Sequence, residues 1–340
     1  MPNSPEQKKD IFDLSEQEFK KYFQTKILPN LQDLYKKHLD NKAKPIVPLF
    51  LKSPWFILVI IMLCCLAIYK GLWVYLPLIM ISVLFIFLAS TFPNMIDSSI
   101  ASVGEKVKEK IMPMLGFKWI RISTYLNGTN NEEIRKKRME YRIIFNRIIQ
   151  KAFFLVPHQD EVITGTYNGQ SFVLLDFYTE SKGRFNNIPD ATYYKVLLCT
   201  KINKSFKNDI FINKSKNFNL RNKLYEKAIK LEDLEFSKEY DVYCNNQVEV
   251  RYILTSAFME RLLSYKLRTK RNLEMCFSTK FHKYYNVFIC LDMEKDMFEF
   301  SEDALDDMGK FSRDIYGILQ EIKDIMDIVE ALKLDQDIGL

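Results

Sequence analysis

Two long apolar runs dominate the hydrophobic pattern of the chain. Pro54–Tyr69 contains no charged residue, and Leu72–Phe92 follows it after only Lys70 and Gly71. The second run is about 20 residues long, which is enough for an α-helix to cross a hydrocarbon core of roughly 30 Å. The first run is shorter, with aromatic and lysine residues at both ends that could anchor it at the membrane surface. The pattern predicts a two-span transmembrane helical hairpin, with a re-entrant or interfacial first segment as the alternative.

Basic residues flank this hairpin on both sides. Those before it include Lys36, Lys37, Lys42, Lys44 and Lys52, and those after it include Lys106, Lys108, Lys110, Lys118 and Arg121. The connection between the runs carries only Lys70. Because positive charge collects on the cytoplasmic side of a membrane protein, both termini and the main domain are predicted to be cytoplasmic.

After residue 155 the pattern changes to the alternation of β-strands. The pair Asn168-Gly169, between Glu161–Tyr167 and Gln170–Tyr178, is a strong hairpin signal. Further strands are predicted at 193–202, 209–212, 240–244, 272–278 and 284–291, and helices at 248–268 and 301–334. Runs of strands interrupted by helices predict an α+β domain with a mainly antiparallel sheet and packed helices. The predicted segments are an N-terminal amphipathic helical segment (1–53), the hairpin (54–92), membrane-proximal helices (93–154) and the cytoplasmic α+β domain (155–335).

Apolar residues at helical spacing also occur in the part of the chain that precedes the predicted strands. Ser15 and Glu18 form a predicted capping box that opens an amphipathic helix, and Pro29 is predicted to interrupt this helix. A second amphipathic helix is predicted from Asn131 to Ala152. Its polar face is basic, with Arg135, Lys136, Lys137, Arg138 and Arg142. This helix either lies on anionic lipid or docks its apolar stripe on the domain and leaves a solvated basic face.

Composition narrows the function classes. The net charge of +6 over 340 residues, with 27% charged residues of both signs, is too mild to indicate nucleic acid. Lysines beside aromatic residues, as in Tyr193-Tyr194-Lys195, are predicted to point outward while a ring packs inward. With only 10 glycines the chain offers little room for phosphate-cradling loops, and no cofactor is predicted. The six cysteines lack disulfide or metal spacing, which is typical of a reducing compartment.

No catalytic set stands out among the polar residues. The histidines His38, His158 and His282 are widely spaced and form no metal-ligand pattern. Asp176, Asp190 and Asp241 could form a carboxylate cluster, but their spacing does not require it. No metal or catalytic residue is therefore predicted.

Glu249 and Arg251 open a predicted helix directly after a strand. They form either a charged pair that recognises a ligand or partner together with Tyr252, or an acid at a helix N-terminus and an arginine in a structural contact.

A likeness to known proteins lies in three stretches, Asp160–Tyr167, Leu231–Tyr243 and Gln247–Thr255, and its most specific part is the string Glu249-x-Arg251-Tyr252. In these stretches the chain resembles the bacterial membrane proteins of domain of unknown function 3137. The resemblance implies the same layout of helical N-terminus, two-span hairpin and cytoplasmic-type domain, in the bacterial inner membrane. Asn246, Val250 and Val196 stand where the family tends to have Asp, Ala and Gly. The family has no assigned activity, so the resemblance implies no chemistry.

These features favour a membrane-anchored binding or scaffold domain that engages membrane lipid and a protein partner, or that self-associates. One alternative is an enzyme of an unrecognised type, with or without a metal ion, that acts on a membrane-associated substrate through residues around Asp176 and Glu249. Another is a structural subunit of an oligomeric membrane complex, in which the apolar stripe of residues 305–329 forms the interface.

Overall fold

The computed structural model describes residues 14–42, 105–122, 132–153, 155–167, 169–180, 191–214, 228–301, 304 and 307–334. Both predicted membrane spans lie outside these residues, so the hairpin remains a prediction. Within the described ranges, no helix is long and apolar enough to cross a membrane.

The described residues form seven α-helices with defined bounds and eight strands. The helices are α1 (Glu16–Tyr22), α2 (Leu28–Lys42), α3 (Glu132–Ile148), α4 (Leu234–Glu239), α5 (Gln247–Ile253), α6 (Ser256–Thr269) and α7 (Met308–Ala331). Residues 105–111 are also helical. The strands are β1 (Lys118–Arg121), β2 (His158–Tyr167), β3 (Gln170–Glu180), β4 (Thr192–Thr200), β5 (Ile210–Lys214), β6 (Tyr240–Tyr243), β7 (Leu273–Phe277) and β8 (Val287–Met293).

All eight strands join one sheet in the order β1-β2-β3-β4-β8-β7-β5-β6. Every neighbouring pair is antiparallel, which confirms the predicted α+β class with an antiparallel sheet. The predicted β2–β3 hairpin is also confirmed, since Tyr167 lies opposite Gln170. Gly169 in its turn has φ +76°, a conformation that favours glycine.

Helices cover both faces of this sheet. On one face, Phe145 and Ile149 of α3 and its C-terminal π-turn pack against side chains that include Leu175 and Cys276. Side chains alternate between the two faces of a strand, so the next residue, Phe277, points the other way. The ring of Phe277 contacts Phe258 of α6, at 6.1 Å between centroids. The helices α3 and α6 therefore lie on opposite faces of the sheet.

The long apolar stripe of α7 is part of the core. Its members, which alternate at three- and four-residue spacing, are almost completely buried: Phe311, Ile315, Ile318, Leu319, Ile322, Ile325, Met326 and Val329. Because this stripe is already covered within a single chain, the hypothesis that it forms a subunit interface is wrong.

The predicted single helix over 248–268 is two helices. The first, α5, ends at Ile253, and Leu254 leaves the helical region at φ −92°, ψ 71°. The hydroxyl of Thr255 then accepts a hydrogen bond from the backbone N–H of Phe258 at 3.3 Å and caps α6. Apolar periodicity continues across the break, so it does not reveal the change of direction, whereas an internal threonine N-cap does.

Two short elements, β1 and α4, were not predicted from the sequence. Strand β1 is only four residues long and pairs with β2 at the edge of the sheet. Helix α4 has six residues and begins at the N-cap Asp233. Elements this short carry too few residues to establish a period.

Pro29 does not end the N-terminal helix. Residues Phe23–Ile27 form a π-turn, and α2 continues directly from it through Pro29. The wider turn accommodates a residue that has no N–H and whose ring would clash within a regular α-helix. The predicted capping box is confirmed, since Glu18 accepts hydrogen bonds of 2.8 Å from the backbone N–H and hydroxyl of Ser15.

The chain divides into two compact units. The larger one comprises residues 1–20, 111–299 and 315–340 and contains the whole sheet. Within it, the ring of Phe19 contacts Tyr316 of α7, at 5.6 Å between centroids. The smaller unit comprises residues 21–110 and 300–314. Here Asp33 of α2 accepts hydrogen bonds from Lys37 and Lys110, and the bond from Lys37 contributes most to lowering its pKa.

Lys195 of β4 points inward, contrary to the prediction for lysines beside aromatic residues. Its side chain is mostly buried and forms an ion pair with Asp292 of β8, directly across the strand pair. The neighbouring Tyr193 is exposed instead. A cross-strand carboxylate makes burial of the lysine tolerable, and its presence could not be inferred from the Tyr-Tyr-Lys pattern.

Candidate binding site at helix α5

Helix α5 begins at Asn246. Its side-chain oxygen accepts hydrogen bonds from the backbone N–H groups of Val248 at 3.0 Å and Glu249 at 3.3 Å. An aspartate could accept the same two bonds, so asparagine at this position preserves the cap. The other two departures from the family pattern, Val250 and Val196, are fully buried and fill the core.

Glu249 holds the loop of residues 201–209 against α5. Its carboxylate accepts hydrogen bonds from the backbone N–H groups of Lys207 at 2.9 Å and Asn208 at 3.0 Å, and from the Asn208 side chain at 2.9 Å. Partial burial opposes the charged form, but the hydrogen bonds from Asn208 and Lys207 outweigh it and lower the pKa of Glu249. Glu249 is therefore an ionised anchor for this loop.

Tyr252 holds the same loop one turn further along α5. The ammonium group of Lys204 donates a hydrogen bond of 3.1 Å to the Tyr252 carbonyl oxygen. The same nitrogen lies 5.1 Å from the centroid of the Tyr252 ring, within cation–π distance. Burial and the nearby guanidinium of Arg261 lower the pKa of Lys204.

Arg251 faces away from this loop. Its Nε and one terminal nitrogen donate hydrogen bonds of 3.2 and 3.0 Å to a carboxylate oxygen of Glu232. The predicted recognition pair of Glu249 and Arg251 therefore does not meet in one site, because the two side chains serve different neighbours. The contacts correspond to the alternative of an acid at a helix N-terminus and an arginine in a structural ion pair.

The acidic residues considered for an enzyme or metal site are far apart. Five strand spacings separate β3, which carries Asp176, from β6, which carries Asp241, or about 24 Å. Asp190 lies outside the described residues. Glu249 binds Asn208 just before β5, which is about 19 Å from β3. Within the described part of the chain, no group of three or more His, Cys, Asp or Glu side chains could hold a metal ion.

The basic helix α3 has a second, outward face. Its inner face packs on the sheet, as the docking alternative predicted. The outer face contains Lys136, Met139, Ile143 and Arg147, at spacings of three and four residues, and all four are exposed. Arg142 beside them is exposed as well. The side chains of Arg135, Lys137 and Arg138 lie outside the described set. The exposed apolar residues Met139 and Ile143 were not identified from the sequence. Their four-residue spacing, in line with the basic residues of the helix, is a signal that could have indicated them.

Residues 171–334 match the family model described as Protein of unknown function (DUF3137). This part of the chain is similar to the DUF3137 family. The matched region begins in β3, ends after α7 and includes the whole α5 site. Helix α3 and strands β1 and β2 precede it. No curated protein and no solved structure matches the chain.

We predict that Glu249→Gln lowers the free energy of unfolding at neutral pH by about 1–2 kcal/mol, because a charged acceptor of three hydrogen bonds is lost. The lowered pKa of Glu249 in the folded state means that its contribution is present above the pKa of the unfolded chain. That contribution is lost as the pH falls through the folded-state pKa. The difference between the variant and the parent should therefore shrink in acid.

Urea unfolding of the full-length chain, measured from neutral to acidic pH, tests this prediction. Glu260→Gln, at an exposed position of α6, is the matched control and should change stability by less than about 0.5 kcal/mol. A Glu249→Gln chain that is as stable as this control at neutral pH would contradict the anchoring role.

Proposed function

We propose that the chain is a non-catalytic, membrane-anchored binding domain of the DUF3137 family. In this proposal residues 54–92 span a bacterial inner membrane as a helical hairpin, and both termini and the α+β domain are cytoplasmic. The supports for the anchor are the two uncharged runs and the basic flanks on both sides of them.

The outer face of α3 is the observation that carries the proposal. Ile143 is 62% exposed and Met139 is 47% exposed, in line with the basic residues Lys136 and Arg147. A helix that presents apolar side chains between cationic ones is suited to the boundary between anionic headgroups and acyl chains. We therefore propose that this face lies on the inner leaflet while the inner face of α3 holds the sheet.

A protein partner is proposed to bind on the side of α4 and α5. Leu234 is 75% exposed and Val248 is 76% exposed, each at the start of its helix. Leu234 follows Glu232 by two residues and Val248 precedes Arg251 by three, and Glu232 and Arg251 form an exposed ion pair. Apolar side chains around an exposed arginine are typical of protein interfaces, including those between copies of one chain.

The enzyme alternative has less support. It required Asp176 and Glu249 to act at a common substrate, and the strand order separates them. Asp176 is also almost completely buried in β3.

Membrane fractionation tests the proposed function. The full chain should stay in the membrane fraction after both high salt and alkaline carbonate, because a spanning hairpin resists both. A matched chain in which a flexible linker replaces residues 54–92 should bind anionic vesicles at low salt and be released by high salt, because surface electrostatics are screened. Release of the full chain by carbonate would contradict the anchor, and a linker chain that ignores anionic vesicles would contradict the lipid-facing role of α3.

A further inference from the structure

The β7–β8 loop, residues 278–286, is fixed at both of its ends. On the β7 side, the Lys280 ammonium donates a hydrogen bond of 3.0 Å to the Asp209 carboxylate. On the β8 side, the Asn286 side chain donates a hydrogen bond of 2.9 Å to the carbonyl oxygen of Ile202 and accepts one of 2.7 Å from its N–H. These bonds hold the base of the loop, and its middle is held separately.

His282 holds the middle of the loop. Its Nδ1 accepts hydrogen bonds from the backbone N–H groups of Tyr284 at 3.1 Å and Tyr285 at 3.3 Å. Its ring is stacked on the Tyr285 ring, with 4.8 Å between the centroids and 26° between the planes. A ring nitrogen that accepts hydrogen bonds carries no proton, so the imidazole is neutral in this arrangement and its proton lies on Nε2.

Tyr285 connects His282 to the core beneath α3. Phe281 and Tyr285 pack against the same buried cluster as Tyr141 of α3. The neighbouring Tyr284 is 65% exposed instead. The two hydrogen bonds to His282 therefore fix the backbone at the point where one tyrosine packs inward and the other lies in solvent.

We propose that His282 is a pH switch for the β7–β8 loop, which is closed while the imidazole is neutral and opens when it is protonated. A protonated imidazole is a donor at both nitrogens. Its Nδ1 would lose both hydrogen bonds and direct its own N–H at two other N–H groups. The ring must then turn away, and Tyr285 loses its stacking partner beside α3. The switch does not depend on whether α3 rests on a membrane.

The direction of the pH effect follows from the half-buried position of His282. Burial lowers the pKa of His282 below its usual value, which favours the neutral form in the folded chain. The contribution of the closed loop to stability is therefore complete above the pKa of a histidine in the unfolded chain, about 6.5. That contribution is lost as the pH falls through the lower folded-state pKa.

His282 is the group of this loop that changes charge in weak acid. The other ionisable side chains of the loop are two lysines and two tyrosines, Lys280, Lys283, Tyr284 and Tyr285. Asp209 at the base binds Lys280, and the elements packed against Tyr285 contribute Tyr141 of α3 and Cys199 of β4. Amines, phenols and thiols titrate above about pH 8 and carboxylates at about pH 4. Among these described groups, the imidazole is the one that titrates between the two ranges.

Hydrogen exchange of the full-length chain in phosphatidylcholine nanodiscs tests the proposal. Mass spectrometry follows the peptides that contain the Tyr284 and Tyr285 amides from about pH 7.5 to about pH 5, corrected for the intrinsic pH dependence of exchange. His282→Asn is the decisive variant, because an asparagine oxygen can accept the same two backbone bonds and does not titrate. His282→Ala removes the acceptor. His158→Asn, at an exposed position of β2, is the matched control.

At neutral pH we expect the parent and His158→Asn to protect the two amides about tenfold more than His282→Ala does. Both should lose this difference in weak acid, whereas His282→Asn should keep its protection over the whole range. Parental protection that is unchanged in acid would overturn the proposal. So would a His282→Asn chain that loses protection together with the parent, or a His282→Ala chain that is as protected as the parent at neutral pH.

Discussion

Ile322→Ala should lower the free energy of unfolding by about 2–5 kcal/mol, which is the usual cost of truncating a buried isoleucine. Ile322 lies in the middle of the α7 stripe and has no exposed surface. The loss combines the transfer free energy of the removed carbons with the cavity that they leave. This stripe is the longest continuous apolar surface of the described helices, so it should contribute heavily to the stability of the fold.

The same variant distinguishes a core from an interface. If the stripe is core, Ile322→Ala should leave the oligomeric state unchanged, as measured by light scattering of the detergent-solubilised chain. Leu267→Ala is the control, because Leu267 is 79% exposed on α6 and should change stability little. A variant that dissociates an oligomer but unfolds at the parental urea concentration would contradict the burial of α7.

The sheet could be predicted from the sequence to a large extent. Predicted strands at 161–167 and 170–178 lie within β2 and β3, because an Asn-Gly turn between alternating runs is a local signal. The order of the strands could not be predicted. Chain neighbours are paired through β4, but β4 then pairs with β8, and β5 pairs with both β6 and β7. Those pairings depend on long-range packing that a local pattern does not record.

The candidate site was predicted only in part. Glu249, Arg251 and Tyr252 were identified as a group from their position between a strand and a helix. Their roles came from residues distant in sequence, since Glu249 binds residues 207 and 208 and Arg251 binds Glu232. Lys204 had no signal of its own, because one lysine in a lysine-rich loop is indistinguishable from its neighbours.

The contacts give the family string a physical meaning. Asn246 caps α5, and Glu249 and Tyr252 bind a single loop. Glu249 binds two backbone amides of the loop and the Asn208 side chain, whereas Tyr252 binds the side-chain ammonium group of Lys204. The string therefore specifies how the loop of residues 201–209 is positioned against α5.

The outer face of α3 is the central element of the proposed function, and a polarity-sensitive fluorophore tests it most directly. The fluorophore is attached to Ile143→Cys or, as the control, to Leu267→Cys on the opposite side of the sheet. The background is a full-length chain in which Cys64, Cys65 and Cys244 are replaced by alanine. Cys199, Cys276 and Cys290 are fully or almost fully buried and need no replacement.

In anionic nanodiscs we expect a blue-shifted emission at position 143 and water-like emission at position 267. Lys136→Glu combined with Arg147→Glu should abolish the shift, because each basic residue at an anionic surface contributes about 1 kcal/mol and reversal turns attraction into repulsion. Neutral nanodiscs should weaken it. Water-like emission at both positions in anionic nanodiscs, with or without the charge reversals, would contradict the proposal that α3 rests on the membrane.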